Sequence, residues 1–138
     1  MGKYMRNNID KDIKIIEINE ENYVEEARKI IKKLYKQKRV LTTSKIRKLL
    51  AMLSDMYITA KNLEGDKLNK ALLDRLQYFK VHVVYEAGRE RLVESFIEEA
   101  CIIEQIDKIK DDKSRLILFY HYMEALVAYR KYICGKDE

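Results

Sequence analysis

Ten basic residues and no acidic one lie between Arg28 and Lys48: Arg28, Lys29, Lys32, Lys33, Lys36, Lys38, Arg39, Lys45, Arg47 and Lys48. Cations at this density attract anions. They straddle Thr42-Thr43-Ser44, hydroxyl residues suited to opening a helix whose first N–H groups have no helical partner and favour negative charge. Lys45 and Lys48 share a face at i, i+3, and Arg47 follows Thr43 by four, which places all three in the first turns, where the macrodipole is positive. The chemistry this points to is contact with phosphates. No short helix leads with Asn, Gln or Arg as a base-edge reader, so such contact would follow the backbone and ignore sequence. Arg28, Lys29, Lys32, Lys33 and Lys36 fit an ordinary solvated helix face equally well.

Bond-making chemistry finds no support. GxSxG, HExxH, GxxxxGK[ST] and GxGxxG are absent. Di-iron bundles need Glu three residues before His, whereas Phe79 precedes His82 and Leu118 precedes His121 at that spacing. The Glu94, Glu98, Glu99 group reads as a solvated acidic face. His121, between Tyr120 and Tyr122, could contact RNA or act as a base, but its bland reading is a surface histidine. Most of the ten tyrosines fit the rim of a core, Tyr57, Tyr85 and Tyr122 among them, better than base-stacking platforms. No metal, cofactor or catalytic residue is expected.

The elements that would position the cations read as helices throughout. Proline is absent, and glycine occurs only at 2, 65, 88 and 135. Val24, Ala27, Ile30, Ile31 and Leu34 recur at helical spacing and predict a first helix over 21–37. Ile46, Leu49, Leu50, Leu53, Met56 and Ala60 predict a second, stopping near Gly65. Asp66 is the expected cap of a third, with Leu68, Leu72, Leu76, Phe79, Val83 and Ala87 on one stripe, widened by Leu73, Val81, Val84 and Tyr85. This third helix is predicted to be central and mostly buried, with Gly88 ending or kinking it. Leu92, Val93, Phe96, Ile97, Ala100, Ile103 and Ile106 then trace one acidic-faced fourth helix. Asp111 or Asp112 caps a fifth, which carries Leu116, Phe119, Tyr122, Met123, Leu126, Val127 and Ile133 inward and closes at Gly135. The fold class is all-α, a compact single-domain bundle of about five helices over 21–138. A variable segment covers 1–20, whose IKIIEI run stays open between a strand, a docking segment and a frayed lead-in.

Composition bounds the partners. The 138 residues suit one core, and a net charge of +5 with a sequence pI near 9.1 favours polyanions, nucleic acid before an anionic membrane surface. No apolar stretch approaches the roughly 20 residues of a spanning helix, and MGKYMRNNIDKD lacks a signal peptide's apolar centre. A cytoplasmic protein is expected. Cys101 and Cys134, without CxxC spacing, fit reduced thiols. Helices two and three also suit a helix-turn-helix DNA-binding regulator, or a purely protein-binding helical adaptor, as alternatives.

Three stretches add a resemblance: Thr42-Thr43-Ser44-Lys45-Ile46-Arg47-Lys48-Leu49-Leu50, Val83-Val84-Tyr85-Glu86-Ala87-Gly88-Arg89-Glu90, and Tyr122-Met123-Glu124-Ala125-Leu126-Val127-Ala128-Tyr129 with Lys131 following. In order and spacing they resemble the small subunit of the type III-A CRISPR effector, the Csm complex, from about Glu20 to the end. The resemblance implies a compact helical protein, not a nuclease, present in several copies along an antiviral ribonucleoprotein. Its partners would be guide RNA, target RNA, other Csm subunits and further copies of itself. It also implies that Arg47, Lys48, Lys80 and Arg89 face the nucleic-acid backbone, with Lys131 as an addition. Lys45 and Arg130 lie outside that pattern, and Lys45 joins the candidate RNA-binding set on local charge alone. The acidic fourth helix of one copy facing a basic helix of the next would set the register of stacking.

Overall fold

The computed structural model describes residues 15–136, and residues 1–14 of the predicted variable segment lie outside the described residues. Six helices and no strand occur among those described: α1 (Tyr23–Lys36), α2 (Thr43–Lys61), α3 (Lys70–Arg89), α4 (Arg91–Glu99), α5 (Ile102–Ile109) and α6 (Lys113–Cys134). α1 buries Ala27, Ile30, Ile31 and Leu34, with Glu25 and Glu26 in its first turn and Lys33 and Lys36 in its last, each sign placed where the macrodipole favours it. It ends without glycine. Lys38 adopts φ 56°, while Lys38 N–H bonds the Tyr35 carbonyl at 3.1 Å and Arg39 N–H bonds that of Leu34 at 2.9 Å, a Schellman pattern. The chain can then turn directly into α2.

The predicted fourth helix is two. Cys101 takes a left-handed backbone (φ 55°) and separates α4 from α5. The phenol of Tyr122, fully buried on α6, donates to the Ala100 carbonyl at 2.8 Å and so satisfies an acceptor at the break. Asn69, not Asp66, caps α3, its side chain accepting from Leu72 N–H at 3.0 Å. Residues 66–68 are held otherwise: Lys113 N–H bonds the Asp66 carbonyl at 3.0 Å and Leu68 N–H bonds that of Asp111 at 2.8 Å, which ties the lead-in of α3 to that of α6. Asp112 caps α6 through Ser114 N–H, as expected, and Gly135 (φ 75°) closes it. α3 runs one residue past Gly88 and ends at Arg89.

The central helix is α6 and not α3. α6 packs mainly against α1 and α2, and also against α5, with Leu116, Phe119, Tyr122, Met123 and Leu126 buried. α3 buries the narrow stripe Leu72, Leu76, Phe79 and Val83, and leaves Tyr78, Val81, Val84 and Tyr85 exposed. The lead-in at 15–18 docks on the bundle: Gln105 Nε2 donates to the Ile16 carbonyl at 2.7 Å, and Ile16 and Ile18 pack on the core.

Candidate nucleic-acid interface

Three helix ends meet at one end of the bundle. α2 starts there under Thr42, whose extended backbone (φ −72°, ψ 157°) lets its hydroxyl accept from Lys45 N–H at 3.4 Å. α3 finishes there at Glu90, whose carboxylate pairs with the Lys45 ammonium and lies 3.6 Å from the Arg89 guanidinium. α6 arrives at the same place because Arg130 Nε donates to the carbonyl of Leu41, the residue before the α2 cap, at 2.7 Å. Lys45 and Arg89 thereby share Glu90, while Arg47 and Lys48 lie on the same start of α2 and Lys131 follows Arg130 near the end of α6. Arg47, Lys48 and Lys131 are exposed and have no ion pair among the described residues.

Lys80 does not join them. It lies nine residues before Arg89 on α3, half a turn out of phase at about 100° per residue. Its ammonium pairs with Asp107 of α5 at 2.6 Å. Two residues bear on the site that the sequence reading did not place there. Arg130 is buried, donating also to the Gly135 carbonyl at 3.1 Å, so it frames the site and does not face a ligand. Its signal was phase: Leu116, Phe119, Met123, Leu126 and Arg130 recur at 3-4-3-4 spacing, which puts the arginine on the buried stripe. Glu90 is the other, an acid between Lys45 and Arg89.

The Lys45 ammonium, and then Arg89, hold the Glu90 carboxyl below the usual carboxylate range, so it stays anionic at neutral pH. With its pKa lowered in the fold, the tie between α2 and α3 is present above the ordinary carboxylate pKa and is lost as pH falls through the lowered value. Glu90→Gln keeps the shape and removes the charge. Each cation it releases is expected to steepen the slope of log affinity against log salt for single-stranded RNA by about 0.7. Fluorescence anisotropy from low to high salt measures this, and an unaltered slope would show that Lys45 and Arg89 do not engage the strand.

The rest of the basic run is less open than its sequence suggests. Arg28 forks onto Glu25 at 2.6 and 3.0 Å, Lys29 lies 3.6 Å from Glu26, and Lys33 pairs with Glu99 at 2.7 Å. Arg39 reaches Ser95 at 3.1 Å and Glu99 at 3.8 Å. Glu99, expected on an acidic face turned toward a neighbouring copy, meets cations of its own chain, as do Glu90 and Asp107. His121 is half-buried, its Nδ1 2.9 Å from Glu124, in an aromatic cluster where Tyr57 stacks on Tyr120 at 4.0 Å. Tyr122 is in the core as expected, whereas Tyr85 is exposed. Burial pushes the Cys101 and Cys134 thiols up, away from the reactive thiolate. Among the described residues no three His, Cys, Asp or Glu side chains gather as a metal site, and no helix is long and apolar enough to cross a membrane.

The family model described as Csm2 Type III-A matches residues 17–136. The chain belongs to that family. It is 43% identical over 123 residues to the "CRISPR system Cms protein Csm2" of Streptococcus thermophilus, across 87% of this chain and 98% of that protein. The protein of the same description from Mycobacterium tuberculosis (strain CDC 1551 / Oshkosh) is 36% identical over 121 residues, covering 86% and 97%. That of Enterococcus italicus is 38% identical over 94 residues, covering 67% of each. The family match takes in all three sequence blocks and all six helices, and begins at Glu17, so it includes part of the docked lead-in. Membership makes the chain a small subunit of the type III-A Csm complex, with other Csm subunits as its partners.

Proposed function

We propose that this chain is a non-catalytic brace that grips the guide and target RNA backbone without regard to sequence, several copies stacking along one strand in the cytoplasm. What supports the reading is that the start of α2, with Lys45, Arg47 and Lys48, meets the end of α3, with Arg89, and the last turns of α6, with Lys131, and that Arg47, Lys48 and Lys131 are exposed without ion pairs among the described residues. No cofactor takes part. If each copy neutralises about three phosphates, log affinity falls against log salt with a slope near −2 per copy, which for one copy is weak binding of about 10⁻⁴ to 10⁻⁶ M. Several copies held on one strand by neighbouring subunits raise effective affinity without any new kind of contact.

A helix-turn-helix regulator fits less well, because α2 and α3 run to 19 and 20 residues and a recognition helix is short and led by base-reading side chains. Competition of mixed-sequence single-stranded RNA against duplex DNA separates the two. RNA of any sequence should displace labelled RNA equally well, whereas preference for one duplex sequence would overturn the reading. For a purely protein-binding adaptor, nuclease treatment would leave its assembly with the other subunits unaffected.

A further inference from the structure

Glu90 sets an anion between Lys45 and Arg89, two cations that a phosphate would also seek. Its backbone is fixed from both sides. It is at once the last cap of α3 and the first of α4, extended at φ −134° and ψ 129°. Its N–H bonds the Glu86 carbonyl at 3.1 Å, and its carbonyl accepts from Glu94 N–H at 2.9 Å. The side chain makes no capping bond to α4. It reaches across to α2 instead, and 35% of it stays exposed.

Both cations take the same carboxylate oxygen. The Lys45 ammonium donates to Oε2, and Arg89 Nη2 lies 3.6 Å from that atom. Among the described residues no hydrogen bond is made to Oε1. An ionised carboxylate only accepts hydrogen bonds, and it repels phosphate. On a surface that follows a nucleic-acid backbone it therefore has one favourable partner. Phosphates and deoxyribose within a strand offer no donor, whereas ribose offers its 2′-hydroxyl. Cations by themselves make no such choice, because RNA and DNA strands carry the same charge per nucleotide.

We infer that Glu90 accepts a hydrogen bond from a ribose 2′-hydroxyl through Oε1, which makes this surface select RNA over single-stranded DNA. The role rests on the RNA-backbone reading above and adds a choice of sugar to a grip that ignores bases. Lys45 and Arg89, by sharing Oε2, keep the carboxylate charged and tied to the start of α2.

The test is competition of short single strands of one sequence, as RNA, 2′-fluoro RNA and DNA, against labelled RNA on the full chain. The 2′-fluoro strand keeps the phosphates and the ribose pucker but has no hydroxyl to donate. Wild type is expected to bind RNA about tenfold more tightly than the 2′-fluoro strand, the effect of one hydrogen bond to a charged acceptor, and DNA no better than that strand. Glu90→Ala, helical by circular dichroism, is expected to bind RNA and 2′-fluoro RNA equally. Glu90→Gln keeps the length and a neutral acceptor, and its preference should drop to about threefold, so it serves if the alanine variant does not fold. Equal binding of RNA and 2′-fluoro RNA by wild type overturns the proposal, and RNA preferred over DNA alone then assigns the choice to sugar pucker. Full preference retained by Glu90→Ala or Glu90→Gln overturns it too. In these cases a salt slope of about −2 leaves the backbone reading standing, whereas wild-type RNA binding without salt dependence overturns both.

Discussion

Tyr122→Ala is expected to destabilise the bundle by about 3–5 kcal/mol, the range for truncating a large buried aromatic. Typical domains have only about 5–15 kcal/mol in total, so the variant would be partly unfolded at modest urea. Two losses combine. The ring is wholly buried on the central helix, and its hydroxyl donates to the Ala100 carbonyl at the break between α4 and α5. Burial raises the phenol pKa, so it remains a donor at any pH where the protein is handled. Tyr122→Phe keeps the ring and loses the bond, and is expected to cost about 1 kcal/mol. Urea melts of the three proteins give the order directly; equal destabilisation by Phe and Ala would mean that the hydrogen bond, not the packing, dominates.

Arg130→Met should lower stability by about 2–3 kcal/mol, because it keeps most of the volume but strips hydrogen bonds from the buried Leu41 carbonyl and the part-buried Gly135 carbonyl. Arg130 donates to Leu41 at 2.7 Å and to Gly135 at 3.1 Å, joining the end of α6 to the start of α2. This side chain is 4% exposed and cannot touch a strand itself. Even so, RNA affinity should fall in conditions where the variant is folded, since Arg47 and Lys48 are carried on the turn that Arg130 fixes. Urea melts and RNA titrations on the same samples check both parts. Loss of RNA affinity with no loss of stability would instead mean that Arg130 meets the ligand.

The buried stripes of α1, α2 and α6 were legible from a periodic apolar face, which in α2 and α6 follows a clear cap, Thr42 and Asp112. The break at Cys101 was not. Phe96, Ala100 and Ile103 keep helical phase across it, and a left-handed cysteine leaves no compositional mark of the kind glycine leaves. α3 misled in the opposite way: its apolar arc is wide enough to read as a buried helix, yet only one stripe is covered and the other side remains exposed. In the candidate site, the exposed cations could be read from charge and the α2 cap. Which cations were free could not, because Glu90, Glu99 and Asp107 come from distant parts of the chain and reach Lys45, Lys33 and Lys80 only through the fold. Arg130, four residues after Leu126, lies on the buried stripe, which its spacing marks and its charge hides.

The most direct measurement is the salt dependence of single-stranded RNA binding by the wild type and by Arg47→Ala with Lys48→Ala, with circular dichroism on both. The pair lies on the exposed side of the α2 start and holds no ion pair among the described residues, so helicity should be retained. A slope near −2 that flattens to about −0.7, as two of three phosphate contacts are removed, is the expected result. An identical slope for the two proteins would contradict the claim that this end of the bundle grips the RNA backbone.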